Sequence, residues 1–192
     1  MKLKIDIRET KLIELIKSNE EIKTKEYNVI VETLHLGDIV ICDDEGNDVV
    51  IIERKSISDL ASSIIDGRYN EQSYRLNNSI IHNHNIIYLV EGNLEAYRPY
   101  SKINKKTIYS AIFTLNYYKG FSVLRSMNLS ETSDIIIRIF DKMVRDKNKP
   151  SFYLNTLHNK IGNDTDQHQP ESKIDYTDVY KSEKKANITP EN

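Results

Sequence analysis

The sequence predicts a mixed α/β domain, and three observations predict it. The first segment alternates polar and apolar residues, two β-branched runs flank a turn-rich loop, and five later or intervening stretches space their apolar residues helically. Residues 2–7 (Lys-Leu-Lys-Ile-Asp-Ile) read as a half-buried strand. Leu12, Ile13 and Ile16 place a short helix over about 10–18. Tyr27 to Thr33 is β-branched and apolar, a second strand. Asp38 to Cys42 and Val49 to Lys55 form two more, joined by Asp43-Asp-Glu-Gly-Asn-Asp48, a hairpin signal.

Helices follow at 57–66, closed by Gly67, and at 69–82. Ile86 to Val90 reads as a buried strand, and Ile108, Ala111, Ile112 and Leu115 place a helix over 105–118. Phe121 to Arg125 is a strand, and 130–146 a final long helix. After residue 147 the chain turns polar and rich in Asn, Asp and Lys, without a sustained apolar period. Residues 148–192 are therefore expected to be a linker or tail, largely disordered or leading into a further module.

Composition narrows the function. The 192 residues carry 39% apolar and 29% charged side chains with a net charge of −2, which excludes a strongly basic nucleic-acid coat. A single cysteine excludes an internally disulfide-stapled scaffold. The charged N-terminus offers no signal-peptide core, and no apolar run approaches the ~20 residues needed to span a bilayer. These features predict a soluble protein of the nucleus or cytoplasm, not secreted and without a membrane partner. The net charge conceals a division: residues 1–53 carry −6 and residues 54–125 carry +5. An acidic first third beside a basic middle suggests a carboxylate cluster next to a surface for a polyanion.

The chemistry concentrates in Gly37-Asp38 and Glu53-Arg54-Lys55. On a strand, Glu53 and Lys55 share a face. A hairpin whose loop is symmetric about Glu45–Gly46 pairs Asp38 with Glu53, about 5 Å apart at Cβ; a one-residue slip would separate them. Two carboxylates so close repel unless a cation lies between them. Hard oxygen donors suit Mg²⁺, with Mn²⁺ as a substitute. Lys55 beside them can orient or deprotonate an attacking water, or neutralise a phosphate. That combination suits metal-dependent phosphodiester hydrolysis. The alternative is a solvated hairpin face. Val49-Val-Ile-Ile52 before the charges and Leu60, Ile64 and Ile65 after them argue that they interrupt a buried stretch.

Three further motifs extend the pattern: Asp6-x-Arg8-Glu9, Glu53-Arg54-Lys55-x-x-x-Asp59-Leu60, and Asp66-Gly67-Arg68-Tyr69-x-Glu71-Gln72-x-x-Arg75-Leu76. With Gly37-Asp38, these resemble the nuclease domain of the XPF/MUS-type structure-specific endonucleases over about residues 3–145. The resemblance implies a restriction-endonuclease-like core, with a mixed central sheet, an active-site hairpin and flanking helices, over residues 1–147. It implies cleavage of branched double-stranded DNA such as flaps, forks and recombination intermediates, in repair or recombination. By the same likeness Asp38, Glu53, the Arg54 carbonyl and Glu9 hold Mg²⁺, Lys55 is the catalytic lysine, and Asp6 completes the acidic cluster. Arg8, Arg54, Arg68, Tyr69 and Gln72 then surround the scissile phosphate. A non-catalytic DNA-binding or scaffold subunit, or a resolvase- or restriction-like nuclease on the same core, remains open at this point.

Neighbouring residues carry competing readings. Ser56-x-x-Asp59 before an apolar helix is a capping box, so Asp59 has a structural role available. Arg68, Gln72 and Arg75 share one helical face and are expected at the phosphate. From Arg98 to Arg125 six basic residues and no acids alternate with tyrosines; Lys102, Lys105 and Lys106 are the expected DNA contacts. Glu91, closing a strand, is expected to support the site. The last helix carries Ile135, Ile136, Ile137, Ile139, Phe140, Met143 and Val144, more than one stripe of apolar residues. The excess, like the family resemblance, points to pairing through this region, as a homodimer or a heterodimer. A tandem helix–hairpin–helix module, common in the family, has no counterpart in this sequence.

Overall fold

The computed structural model describes residues 1–99 and 103–153. Six strands form one mixed sheet in the order β2-β1-β3-β4-β5-β6, comprising β1 (Lys2–Asp6), β2 (Val29–Glu32), β3 (Ile39–Cys42), β4 (Asp48–Ser56), β5 (Ile86–Glu91) and β6 (Ser122–Ser126). β1 and β2 run parallel, as do β4, β5 and β6, while β3 is antiparallel to both its neighbours. The antiparallel pair supplies the hairpin, and the parallel strands need the crossover helices that cover the sheet.

Two cores follow from the period-2 alternation of the strands. On one face Val40, Ile51, Tyr88 and Val90 pack with Leu60 of α3 (Ile57–Ile65), Tyr69 and Leu76 of α4 (Arg68–Asn77), and Ile108 of α5 (Lys105–Phe113). On the other, Leu3, Ile5, Ile39, Ile41, Ile52 and Leu89 pack with Leu12 and Ile16 of α1 (Thr10–Ser18), Ile22 of α2 (Glu20–Thr24), and Ile136, Ile137 and Phe140 of α6 (Leu129–Arg145). The result is the mixed α/β architecture the sequence predicts, a sheet between two helical layers.

Differences from the sequence reading have local causes. α4 ends at Asn77 rather than near 82, because Asn78 caps it and its amide returns to the Tyr74 and Arg75 carbonyls. The helix expected over 105–118 is regular only to Phe113 and widens into a π-turn over Thr114–Tyr118. The sequence reading missed α2, although Asn19 caps it by accepting from the Glu21 amide and two glutamates fill its first turn.

The apolar excess of α6 is used within the chain. Ile136, Ile137 and Phe140 are buried, and Ile135, Ile139, Met143 and Val144 pack partly buried against the same core. Exposed large apolar side chains lie elsewhere, at Tyr109, Phe113, Tyr117, Tyr118 and Leu124 among others. Of the expected tail, residues 148–153 are described; the remainder, like Lys102, lies outside the described residues. No helix among the described residues is long and apolar enough to cross a membrane.

Candidate active site

The hairpin sets the centre. Ile39 pairs with Ile52, Val40 with Ile51 and Ile41 with Val50, so Asp38 just precedes the paired part of β3 and Glu53 just follows it on β4; the register shifts at the loop end, where Cys42 pairs with Asp48. Gly37 makes the close approach possible. Its φ is +72°, and a Cβ there would meet Ile51 Cγ2 at 2.5 Å and the Ile52 carbonyl oxygen at 3.2 Å. The Asp38 amide then donates to the Ile52 carbonyl (2.9 Å), and Asp38 Oδ2 accepts from the Arg54 amide (2.8 Å). The carboxylate is thereby fixed to the opposite strand by its neighbour's backbone.

Glu53 and Lys55 are both buried, 7% and 5% exposed, on the face of β4 that carries Ile51. Lys55 Nζ donates to Gln72 Oε1 of α4 at 2.6 Å and lies 3.6 Å from Glu53 Oε1. Burial, with the Asp38 charge second, pushes the Glu53 carboxyl up to about 7, and Lys55 opposes the shift. Asp38 is raised as well, chiefly by burial. Both carboxylates are thus held where their charge is costly. Tyr88, the register partner of Glu53, is 1% exposed, and its hydroxyl has no hydrogen-bond partner among the described residues.

Arg54 points to the opposite face. Its guanidinium donates twice to Glu91 (3.0 and 2.8 Å) and once to Glu9 (3.0 Å), and Thr132 Oγ1 of α6 donates to Glu91 Oε2 at 2.7 Å. This ties β4, β5, the β1–α1 turn and α6 together behind the hairpin. Glu91 therefore supports the site through Arg54.

Asp6 and Glu9 lie near enough to Asp38 for their charges to interact, and each is also engaged by an arginine. Asp6 is fully buried and accepts four hydrogen bonds, from the Arg8 amide, Arg8 Nε and Nη2, and the Leu34 amide. The Arg8 guanidinium holds its carboxyl down to about 2. Glu9 is raised by burial and engages Arg54. Among the described residues no group of three or more His, Cys, Asp or Glu side chains is arranged around a metal position. The donor set fits Mg²⁺ nonetheless, because that ion commonly takes one or two carboxylates and completes its shell with water and phosphate oxygens. A buried Glu53 and a half-buried Asp38 that repel one another are the observation that favours a cation there.

The remaining candidates divide. Gln72 reaches the centre through Lys55. Arg75 Nη2 donates to the His35 carbonyl (2.8 Å), which places it at the edge of the site. Arg68 is half exposed and paired with Asp66 (2.7 Å). Tyr69 is a correction: its ring is part of the core and its hydroxyl donates to the Ala111 carbonyl (3.0 Å), because an apolar helix face buries it under α5. Ser56 caps α3 by accepting from the Asp59 amide (3.0 Å) and donates to Asp59 Oδ2 (2.6 Å), so Asp59 closes the capping box. Lys105 pairs with Glu95 (3.1 Å), and Lys106 is exposed.

A cavity of about 310 Å³ opens beside the two carboxylates, lined by Asp38, Glu53, Arg8, Gln72, Arg75 and Leu76 together with the loop Thr33–Gly37. Sequence reasoning missed Thr33 and His35, which sit in a connection with no motif of its own.

The chain resembles known nuclease proteins in sequence and in fold. The ERCC4 domain model matches residues 5–139. A probable crossover junction endonuclease mus81 from Dictyostelium discoideum is 36% identical over 130 residues, covering 58% of this chain and 14% of that protein. The 3′-flap repair endonuclease Xpf of Saccharolobus solfataricus is 32% identical over 143 residues, covering 73% of this chain and 56% of its own length. The solved structure of XPF from Aeropyrum pernix aligns with a TM-score of 0.60 at 25% identity, covering 77% of this chain and 67% of that one; its complex with DNA aligns with a TM-score of 0.57. The chain thus spans 14% and 56% of the two curated relatives.

Proposed function

The chain belongs to the ERCC4-domain family, the XPF/MUS-type nuclease domains, and from that premise we propose that it is a Mg²⁺-dependent endonuclease for branched double-stranded DNA. Flaps, forks and recombination intermediates are the substrates, and DNA repair or recombination the setting. One observation carries the reading: Asp38 and Glu53, at the same end of the β3–β4 hairpin, lie close enough for their charges to interact, open onto one cavity, and have Lys55 beside Glu53.

Asp38 and Glu53 would hold the ion, with the Arg54 carbonyl as a third donor and Mn²⁺ as a substitute. When bound, the ion supplies a Lewis acid and a water of lowered pKa. Lys55, held by Gln72 at 2.6 Å, is aimed by a fixed partner rather than by its flexible stem. An ammonium has three donors, so it can keep Gln72 and still meet a phosphate oxygen. Its charge offsets the negative charge that builds on phosphorus as water attacks in line. Arg8 and Arg75 flank the cavity, and Arg68, Lys105 and Lys106 are the proposed contacts to the phosphate backbone, with Lys102 proposed from the sequence alone.

Pairing with a second copy is part of the proposal, through a different surface from the one the sequence suggests. Tyr109, Phe113 and Tyr117 recur every four residues along α5 and the π-turn, all more than half exposed, with Phe113 stacked on Tyr117 at 5.2 Å between centroids. Such a stripe is costly in water and fits an interface. Phe113→Glu is expected to halve the mass measured by light scattering; a monomeric wild-type protein contradicts the pairing.

A labelled panel of flaps, forks, four-way junctions and linear duplex tests the activity. Cleavage of the branched substrates with Mg²⁺ or Mn²⁺ and none in EDTA is expected. Equal cleavage in EDTA, or none under any condition, overturns the reading.

A further inference from the structure

We infer that the Tyr88 hydroxyl is a positioning donor for the Glu53 carboxylate, setting the angle at which Glu53 meets a divalent ion; this rests on the nuclease reading of that site. The two proposed carboxylate ligands are not held alike. Asp38 is fixed by the Arg54 amide at 2.8 Å. Glu53 has Lys55 Nζ at 3.6 Å, close enough for charge but too far for a hydrogen bond, and Lys55 donates to Gln72 instead. Among the described residues, then, Asp38 has an orienting donor and Glu53 has none.

Beside Glu53 stands a donor that nothing in the fold uses. β4 and β5 are parallel, and Tyr88 is the register partner of Glu53. Ile51, Tyr88 and Val90 share one core, and Glu53 follows Ile51 by two residues. Both side chains therefore project from the same face of adjacent strands, which lie about 4.8 Å apart. The Tyr88 ring is packed against Phe121, at 5.3 Å between centroids, and is buried. Its hydroxyl has no hydrogen-bond partner among the described residues. Burial, and after it Glu53, Tyr69 and Asp38, push the phenol well above its usual range. Of these neighbours Tyr69 donates to the Ala111 carbonyl (3.0 Å), and Asp38 has the Arg54 amide. Glu53 is the one that lacks a donor.

Packing does not explain the hydroxyl. A buried hydroxyl without a partner is destabilising, and phenylalanine would fill the same space without that cost. The end of a glutamate side chain turns about a soft torsion, so the Glu53 carboxylate can swing to meet a ring that is locked by its neighbours. A carboxylate has two oxygens, and one can accept from the phenol while the other faces the cavity that Glu53 lines. A hydrogen bond to an ionised carboxylate is about twice as strong as one to a neutral acceptor, which favours the form of Glu53 that would hold Mg²⁺. Outer partners of this kind set the orientation of a metal ligand.

Mn²⁺ binding to the DNA-free protein, measured by calorimetry, tests this on the wild type, Tyr88→Phe and Tyr69→Phe, with urea unfolding in EDTA and flap cleavage in Mg²⁺ alongside. Tyr88→Phe is expected to keep the wild-type urea midpoint or exceed it. It should weaken Mn²⁺ binding about tenfold and lower kcat by a similar factor, with KM for the flap within about twofold. Tyr69→Phe is the structural contrast. It strands the Ala111 carbonyl, so its urea midpoint should fall while Mn²⁺ binding stays within about twofold of wild type. Wild-type Mn²⁺ affinity in Tyr88→Phe, a loss of affinity that tracks a lowered midpoint, or an equal loss in both variants overturns the positioning role and leaves the nuclease reading intact. A wild-type protein that takes up no Mn²⁺ or cuts no DNA removes the nuclease reading and this inference together.

Discussion

Replacing Glu53 by Gln should stabilise the metal-free protein at alkaline pH while removing its activity. Burial and the neighbouring Asp38 raise the Glu53 carboxyl from 4.5 to about 7 in the folded chain. A raised folded-state value means that the folded protein holds the proton more tightly than the unfolded chain does. Stability from this group is complete below pH 4.5 and is lost as the pH rises towards 7. At about 1.4 kcal/mol per unit, the loss is on the order of 3 kcal/mol by pH 8, shared with Asp38 because the two titrate together. Glutamine keeps the shape and cannot ionise. Urea unfolding in EDTA at pH 5 and pH 8 measures the effect. The variant should gain roughly 2–3 kcal/mol on the wild type at pH 8 relative to pH 5. Mg²⁺ should stabilise the wild type at pH 8 and leave the variant nearly unchanged. A variant less stable than wild type at pH 8, or a wild-type stability that is the same relative to the variant at both pH values, would refute the argument that burial loads this pair.

Other perturbations probe the frame around the pair. Gly37→Ala forces a Cβ into Ile51 and the Ile52 carbonyl at positive φ, and should cost about 2 kcal/mol or more in chemical denaturation, with loss of cleavage; an unchanged midpoint contradicts the close approach. Arg54→Met strands Glu9 and Glu91 behind the hairpin and should destabilise by about 3 kcal/mol, an effect that Glu91→Gln in the same chain should partly reverse. Tyr88→Phe removes a buried hydroxyl with no partner among the described residues, so stability should rise or change by less than about 1 kcal/mol. A loss of several kcal/mol there would mean the hydroxyl is satisfied.

Much of this was legible before any coordinates. The β-branched runs and the Asp43–Asp48 turn predicted the hairpin but left its register open, because β3 is apolar on both faces and a slip would still bury it. The same pattern placed Glu53 beside Lys55. What remained hidden depends on side chains meeting across long stretches of sequence. Asp6 looks like one more acid in a cluster, and only the fold shows its four hydrogen bonds to Arg8 and Leu34. Tyr69 follows Arg68 in a polar helix, yet the packing of α5 draws it inward. The α6 residues read as two apolar stripes because sequence does not reveal how broad a groove the sheet offers. His35 and Thr33 have no motif; they line the cavity only because Asp6, Arg75 and Gly37 hold their loop against it.

The most direct measurement compares wild-type protein with Asp38→Asn, Glu53→Gln and Lys55→Met on one labelled flap, following binding and cleavage in the same samples with Mg²⁺. The account predicts cleavage by the wild type and a loss of at least about 100-fold in each variant, with DNA affinity within a few fold. Cleavage that survives in either carboxylate variant would contradict it.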